Sequence, residues 1–490
     1  MSRQIVGRKA TYLYLDNIIT MAVGYALWFI LSKITAVDVI GVSSTVISLT
    51  LIFTTIVDLG VSQGSTRFIA RSFSGRQIGN AKTLVTASLL LIGIAILACS
   101  GAILVFKDWI FPSTIGSELI ILSIFLLTVS VVYAILRSVL IASLETQSLP
   151  KITVISSACK ISVTIGLVLL GVGATGIILG YMSAFASSAI LFSYTLRRIF
   201  KPYQKDSTID LYQACKTILL ASIPSWAPKV LSVIGARIGT VFVFAIEGAN
   251  QAGSYFIASS VFYAITAMMD SLFSIAFPVL SSMDDQRKRY VWRLIKISLV
   301  ITLPLSSTAI LYSEEILGIF GQGYLGMSVP LKIILLSTLA IIFNVGITTL
   351  VYSYGNYWYV LFIGIGSSAP RILLYLILIP LYGSTGAAIS FTIGSFVSFV
   401  VAAIAARQIR MLIFWRQIAL LFSIPTATAF VLDYLQVNYF TGIPVIFFLT
   451  LILFVALRLL TKSDICDSLG ILPGRIGKPI INIVEKLSRK

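Results

Sequence analysis

Lys229 and Arg237 stand inside an apolar run, Ile218 to Phe244, that also holds Pro224 and Pro228. At 1.5 Å per residue the run is long enough to cross a bilayer. A cation in hydrocarbon costs at least about 2.5 kcal/mol on insertion scales, so such residues face other helices or a wet cavity. The prolines withdraw backbone donors, which a membrane tolerates only where protein or water satisfies the freed carbonyls. These residue types together mark an internal site rather than an anchor. Counted along the hairpin formed with the next apolar run, Lys229 and Asp270 are nearly level, so pairing with Asp270 is the simplest fate of that cation. Arg237 lies about 12 Å further along, beside Gly235 and Gly239, whose missing side chains permit close helix contact. Arg371, after Pro370, is equally deep, with no carboxylate on its own helix. Such cations converging on one cavity would attract phosphate, which arginine binds through paired donors. The alternative is that each caps carbonyls freed by a nearby proline or snorkels outward. Asp16 with Asn17, and Asp270 if unpaired, are the candidates for coupling to a proton or sodium gradient. Asp433 reads as a wet helix end.

Catalysis is not expected. The chain has no His, and Cys99, Cys159, Cys215 and Cys466 make no metal-ligand or CxxC spacing. Gly474-Arg475-Ile476-Gly477-Lys478-Pro479 is not a phosphate-binding loop, because Leu472 and Pro479 stand where Gly and Ser/Thr are needed. No metal or bound cofactor is called for. Work would be drawn from a proton or sodium gradient, the membrane potential or the substrate's own gradient.

The elements that position these residues follow from composition. With 490 residues, 58% hydrophobic, 11% charged and a mean hydropathy of +1.00, the chain is an all-α polytopic membrane protein. Apolar spans of about 20 residues number about fourteen, near 11–35, 39–57, 83–106, 117–140, 151–171, 175–196, 218–244, 254–280, 294–312, 328–353, 357–380, 384–406, 417–435 and 441–460. The first is read as a retained helix. The excess of 36 Lys+Arg over 18 Asp+Glu sorts by side rather than marking a nucleic-acid partner. Arg67, Arg71, Arg76, Lys82, Arg197, Arg198, Arg287, Lys288, Arg407, Arg410 and the tail beyond Lys462 share one face with the N-terminus. The opposite loops hold Asp38, Glu118, Glu247, Glu314 and Glu315. By the positive-inside rule both termini are cytoplasmic.

The chain also repeats at about 211 residues, the size of six helices. Gly173-Ala174-Thr175-Gly176 recurs as Gly383-Ser384-Thr385-Gly386, and Asp38-Val39-Ile40-Gly41-Val42-Ser43 loosely as Asn250-Gln251-Ala252-Gly253-Ser254-Tyr255. Six is even, so the copies insert in parallel around an axis along the membrane normal, a transporter architecture with the substrate site between lobes. The expected domains are an N-lobe over 1–205, a C-lobe over 206–410, two appended helices over 411–462 and a basic tail over 463–490 suited to an anionic membrane surface.

At the second loop Asp58-Leu59-Gly60-Val61-Ser62-Gln63-Gly64-Ser65-Thr66-Arg67 resembles the Asp-Leu-Gly signature that ends helix two in polysaccharide-exporting members of the multidrug/oligosaccharidyl-lipid/polysaccharide flippase superfamily. Phe320-Gly321-Gln322-Gly323-Tyr324, Glu247 to Tyr255 with Phe277 to Ser281, and Ile379 to Ala388 are similar to further stretches of it, at matching spacing over nearly the whole chain. The resemblance implies a Wzx-type flippase that moves polyprenyl-linked oligosaccharide to the outer leaflet of the plasma membrane by alternating access, as a monomer or beside glycan-assembly machinery. With the intramembrane charges above, the candidate substrate-binding residues are Arg237, Arg371, Lys229 and Arg67, with Asp16, Asp58 and Asp270 in coupling or gating. Asp58 would accept from loop amides at an inner gate while Arg67 reaches phosphate or a carbonyl. Relatives commonly carry an acid beside the base of helix seven, where this chain reads Gly235-Ala236-Arg237-Ile238. An ion-coupled multidrug exporter of the same superfamily is the alternative, although cationic drugs call for an acidic, aromatic cavity. A polymerase lacks the large outer loop it would need, and a passive scaffold would not require these intramembrane cations.

Overall fold

The computed structural model describes residues 3–75, 77–201, 209–283 and 285–459; the basic tail lies outside the described residues, as do the side chains of residues 3–11 and of several positions between 268 and 282, Asp270 among them. Among the described residues the secondary structure is helical throughout. Two compact units divide the chain, one running Leu15–Phe256 and the other joining residues up to Tyr14 with Ile257 and beyond.

The first unit holds α1 (Arg3–Ile34) from Leu15 on, α2 (Val37–Val57), α3 (Val61–Ser74), α4 (Ile78–Val105), α5 (Lys107–Ile110), α6 (Ser117–Ala142), α7 (Ser148–Leu169), α8 (Gly173–Phe200), α9 (Leu211–Glu247) and the first two turns of α10 (Ala249–Ser282). Its centre is α2, whose spacing of small and branched residues leaves most of it buried, packed on α6, α8 and α9. Serine and threonine hydroxyls inside the spans bond back to carbonyls three or four residues earlier, as Thr50 does to Val46, so few polar groups are left to lipid. Thr54 and Ser130 also bond across α2 and α6 at 2.8 Å. Unlike the partition at 205/206 drawn from the repeat, this unit includes α9, because α9 packs on α2, α3 and α4.

The second unit holds the rest of α10, α11 (Arg287–Leu311), α12 (Ser313–Phe320), α13 (Ser328–Leu335), α14 (Thr338–Ser353), α15 (Tyr357–Gln408), α16 (Trp415–Tyr434) and α17 (Tyr439–Ala456). Its core gathers Phe273, Ile295, Leu299, Phe343 and Ile347 with Leu421 and Phe454, so the two terminal helices are packed in rather than loosely appended. The Trp292 indole donates to Gln417 Oε1 at 3.2 Å, and the Tyr312 hydroxyl to the Val437 carbonyl at 2.9 Å.

Among the described residues, 11 helices are long and apolar enough to cross a membrane, and residues 322–335 with α14, bent by 46°, make a twelfth if the bent pair is one span. Gly383 breaks α15 into two, and α10 adds 34 residues, which accommodates the fourteen spans read from sequence. The two Gly-x-Thr-Gly turns bend alike. Gly173 has φ +62° and Gly383 φ +56°, a region glycine enters without a Cβ penalty. The second glycine of each turn then abuts the preceding helix, a Cβ on Gly176 falling 2.9 Å from Leu167 Cβ and one on Gly386 2.1 Å from the Leu378 carbonyl oxygen.

Candidate functional site

The Asp-Leu-Gly stretch forms the elbow between α2 and α3, and each of its residues has a physical task. Asp58 ends α2 and is buried; its carboxylate accepts from the Ser62 amide at 3.3 Å and the Ser62 hydroxyl at 2.8 Å. Leu59 and Gly60 both take positive φ, 48° and 71°, which turns the chain within two residues. Gly60 also lies flat on α9, where a Cβ would stand 2.7 Å from the Ser222 carbonyl oxygen. From α9, Lys229 Nζ reaches Asp58 Oδ2 at 3.2 Å. The Trp226 indole donates to the Thr55 and Ile56 carbonyls at 3.2 and 3.1 Å, adding to the turn bond that the Leu59 amide gives Ile56 at the end of α2. Pro224 and Pro228 sit within this stretch of α9, the proline-bearing segment that the sequence marked as an internal site. Lys229 thus takes Asp58 as its partner where counting along the hairpin pointed to Asp270. That count compared neighbours in sequence and did not consider the end of α2, which supplies a carboxylate to Lys229; the Asp270 side chain lies outside the described residues.

A second polar cluster lies where α1, α6 and α7 meet. Asp16 is 1% exposed; its Oδ2 is 2.5 Å from an Arg137 guanidinium nitrogen, and the Thr153 hydroxyl donates to its Oδ1. The same Arg137 nitrogen approaches Asn17 Oδ1 at 3.4 Å. Asp16 is therefore engaged on both oxygens. Arg137 was not singled out from sequence, because it stands five residues before the end of α6, roughly 8 Å of helix, where a cation reads as snorkelling to the surface. On the adjoining helices the Lys160 ammonium of α7 lies 3.5 Å from the centre of the Tyr181 ring of α8, and Trp28 of α1 meets Tyr181 at 6.2 Å. Lys160 too was missed, lying in the middle of an apolar span whose other cation, Lys151, stands at its end.

Of the remaining expected residues, Arg237 is half-buried on α9, two turns beyond Lys229, between the buried Gly235 and Gly239. Arg67 is exposed on α3 and does not join the elbow pair. Asp270 lies in α10 with its side chain outside the described residues.

Arg371 lies in the second unit, 3% exposed, bracketing the two halves of α15. Its Nε is 3.3 Å from the Phe391 carbonyl, a terminal nitrogen donates to Ser395 Oγ at 2.7 Å, and the guanidinium lies 4.0 Å over the Phe391 ring. Gly394 makes room for it, since a Cβ there would be 2.3 Å from Arg371 Cγ. The sequence suggested a cavity cation; the geometry is that of a packed strut. Arg371→Ala is expected to cost about 2–4 kcal/mol, lowering the melting temperature and the extracted yield, and Arg371→Lys to recover little because it lacks the planar fork. Thermal unfolding of the purified variants checks this; unchanged melting with lost transport would return Arg371 to the cavity.

A pocket of about 690 Å³ opens beside α4 and α8, lined among others by Lys82, Thr86, Ser193, Arg197 and Phe200; it contains none of the residues expected from sequence. Among the described residues no three His, Cys, Asp or Glu side chains gather to hold a metal ion.

The family model described as polysaccharide biosynthesis protein matches residues 6–284, more than half of the chain. No curated protein matches. Among solved structures, lipid II flippase MurJ in an inward closed conformation superposes with a TM-score of 0.71 at 17% identity, covering 91% of this chain and 98% of its own. An inward-facing multidrug resistance MATE family transporter gives 0.61 at 17% identity over 84% and 95% of the two chains. A MOP superfamily transporter from Pyrococcus furiosus, described by the reverse polarity of its binding pocket, gives 0.60 at 18% over 85% and 96%. At such identities the likeness is one of fold.

Proposed function

The chain belongs to the polysaccharide biosynthesis protein family, and we propose that within it this membrane transporter flips a polyprenyl-phosphate or polyprenyl-pyrophosphate oligosaccharide between leaflets. The observation that carries the reading is the sign of the interior. Within the membrane-spanning helices of the first unit stand Arg137, Lys160, Lys229 and Arg237, and the carboxylates against them are Asp16 within α1 and Asp58 at the end of α2. An interior of that sign suits a phosphate-bearing head group, while the polyprenyl chain stays in lipid. It disfavours a cationic drug, the cargo of the multidrug alternative.

The elbow supplies a mechanism. The Lys229 side chain is 34% exposed, so its ion pair with Asp58 contributes at most about 1 kcal/mol and opens readily. A phosphate reaching Lys229 exchanges for Asp58, which is left with its bonds to Ser62. The pair thereby releases α9 from the α2–α3 elbow as substrate arrives, and Arg237, two turns along the same helix, continues the cationic path. Two six-helix lobes would open at one end and then the other, with the cationic helix ends and both termini in the cytoplasm.

The test is transport of a labelled polyprenyl-linked oligosaccharide in proteoliposomes, wild type against Arg237→Ala and Lys229→Ala, with and without a proton or sodium gradient. Each variant is expected to lose at least about tenfold in rate, 1.4 kcal/mol in the barrier, while melting within a few degrees of wild type. Normal transport by either variant removes that residue from the path. Gradient-dependent efflux of a cationic dye with no glycolipid movement would favour the multidrug reading.

A further inference from the structure

The two stretches that repeat in sequence, around Gly41 and around Gly253, touch each other in the structure. A Cβ on Gly41 would stand 1.8 Å from the Ala249 carbonyl oxygen and 3.0 Å from the Gly253 nitrogen; one on Gly253 would stand 2.2 Å from the Val37 carbonyl oxygen and 2.8 Å from the Gly41 nitrogen. Each glycine thus meets the carbonyl four residues before the other. Val37 and Ala249 are separated by the same sequence interval as Gly41 and Gly253, so the contact is self-complementary, as a contact on an internal two-fold axis must be. Both obstacles are main-chain atoms, which cannot swing aside as a side chain would. Gly248, at φ +88°, turns α9 into α10, and the start of α2 lies against the start of α10 immediately after that turn. One turn further into α2, on the same face as Val37 and Gly41, Thr45 is fully buried with its hydroxyl unpaired.

The α2–α9–α10 seam is therefore closed by two different devices. At the elbow an ion pair and an indole hold it, polar contacts that a charged ligand can compete for. At the far end backbone lies directly on backbone with no side chain between, a closure that excludes water and depends only on the absence of two methyl groups. We propose that Gly41 and Gly253 form the gate at the end of the seam opposite the elbow, a residue pair that must part for the substrate head group to leave and re-form to seal the path. The purpose assigned to the gate rests on the flippase reading; its closure does not.

The test uses the full chain with Cys99, Cys159, Cys215 and Cys466 replaced by alanine and a reporter cysteine at Thr45→Cys. A charged methanethiosulfonate is expected to modify the reporter slowly with both glycines present, and at least about tenfold faster with either Gly41→Ala or Gly253→Ala, the equivalent of 1.4 kcal/mol toward the open form. Gly24→Ala, where a Cβ meets nothing within 4 Å, is expected to leave the rate unchanged. Equal rates in folded glycine variants and parent overturn the gate, as does an equal rise with Gly24→Ala. If one glycine variant fails to fold, the other carries the test, since the contact is two-sided. If neither folds, labelling of Thr45→Cys in the parent with and without polyprenyl-linked oligosaccharide carries the test: a faster rate with it keeps the gate and an equal rate overturns it. Faster labelling in a protein that moves no glycolipid would keep the gate and remove the flippase reading; unchanged labelling with intact glycolipid transport would do the reverse.

Discussion

Asp16→Ala is expected to be among the most damaging single substitutions in the first unit, costing about 3–5 kcal/mol, the range for removing one side of a buried ion pair. The Asp16 side chain is 2% exposed and binds Arg137 through one oxygen and Thr153 through the other. Its removal strands a guanidinium that cannot neutralise itself by losing a proton. Arg137→Ala is expected to cost less, because the Arg137 side chain is 27% exposed and Asp16 keeps its hydrogen bond from Thr153. The double variant should be milder than the sum of the two, and thermal unfolding of the four proteins gives the coupling directly. This separates two roles for Asp16. A carboxylate that exchanges a coupling ion in every cycle would tolerate Asp16→Asn with loss of gradient dependence and little loss of stability. A bracket joining α1, α6 and α7 would show the stability loss first, whatever the gradient. A melting temperature unchanged by Asp16→Ala would sink the bracket and restore Asp16 as a coupling residue.

The helices were legible in the sequence because the bilayer imposes a length and a composition on each span, and α15 is the clearest instance. Its two expected spans, 357–380 and 384–406, were separated by the Gly383 turn, and the chain breaks there at a positive φ. The repeat was legible for the same reason at Gly173 and Gly383. What escaped was pairing. Hydropathy places a cation at a depth but not on a neighbour, so the contact of Lys229 with Asp58, at the end of α2, was not foreseen. Arg371 was correctly read as deep, yet depth alone could not distinguish a cavity wall from a helix interior padded by Gly394 and Ser395. Arg137 and Lys160 had no proline or glycine beside them to draw notice, and their partners Asp16 and Tyr181 lie on other helices. The Asp58 elbow is the opposite case. A turn, a carboxylate and two glycines within seven residues carry their geometry locally, so that stretch could be recognised before its contact with α9 was known.

The elbow's close fit yields a rescue with a defined sign. A Cβ on Gly64 would lie 2.2 Å from Ser222 Oγ, but 3.2 Å from Ser222 Cβ and 3.3 Å from its Cα. The obstacle is one hydroxyl, held toward the Ile218 carbonyl at 2.7 Å on a fully buried residue. Gly64→Ala is expected to cost about 1–3 kcal/mol, the usual price of overpacking, and to slow glycolipid transport by prising α3 from α9. Ser222→Ala alone removes a back-bond within one helix and should cost under about 1 kcal/mol. Combined with Gly64→Ala it deletes the clashing atom and leaves contacts that a shift of a few tenths of an ångström relieves, so the double variant should recover most of the stability and transport lost by Gly64→Ala. Gly60→Ala provides the contrast. There the obstacle is the Ser222 carbonyl oxygen, 2.7 Å away, and the backbone is left-handed at φ +71°, so no side-chain change at Ser222 can help. Rescue at Gly64 without rescue at Gly60 would establish that α2–α3 and α9 are seated against one another as the elbow geometry has them. Equal behaviour of the two glycines, both rescued or neither, would mean that the α9 segment from Ser222 to Lys229 does not lie against the elbow in the working protein.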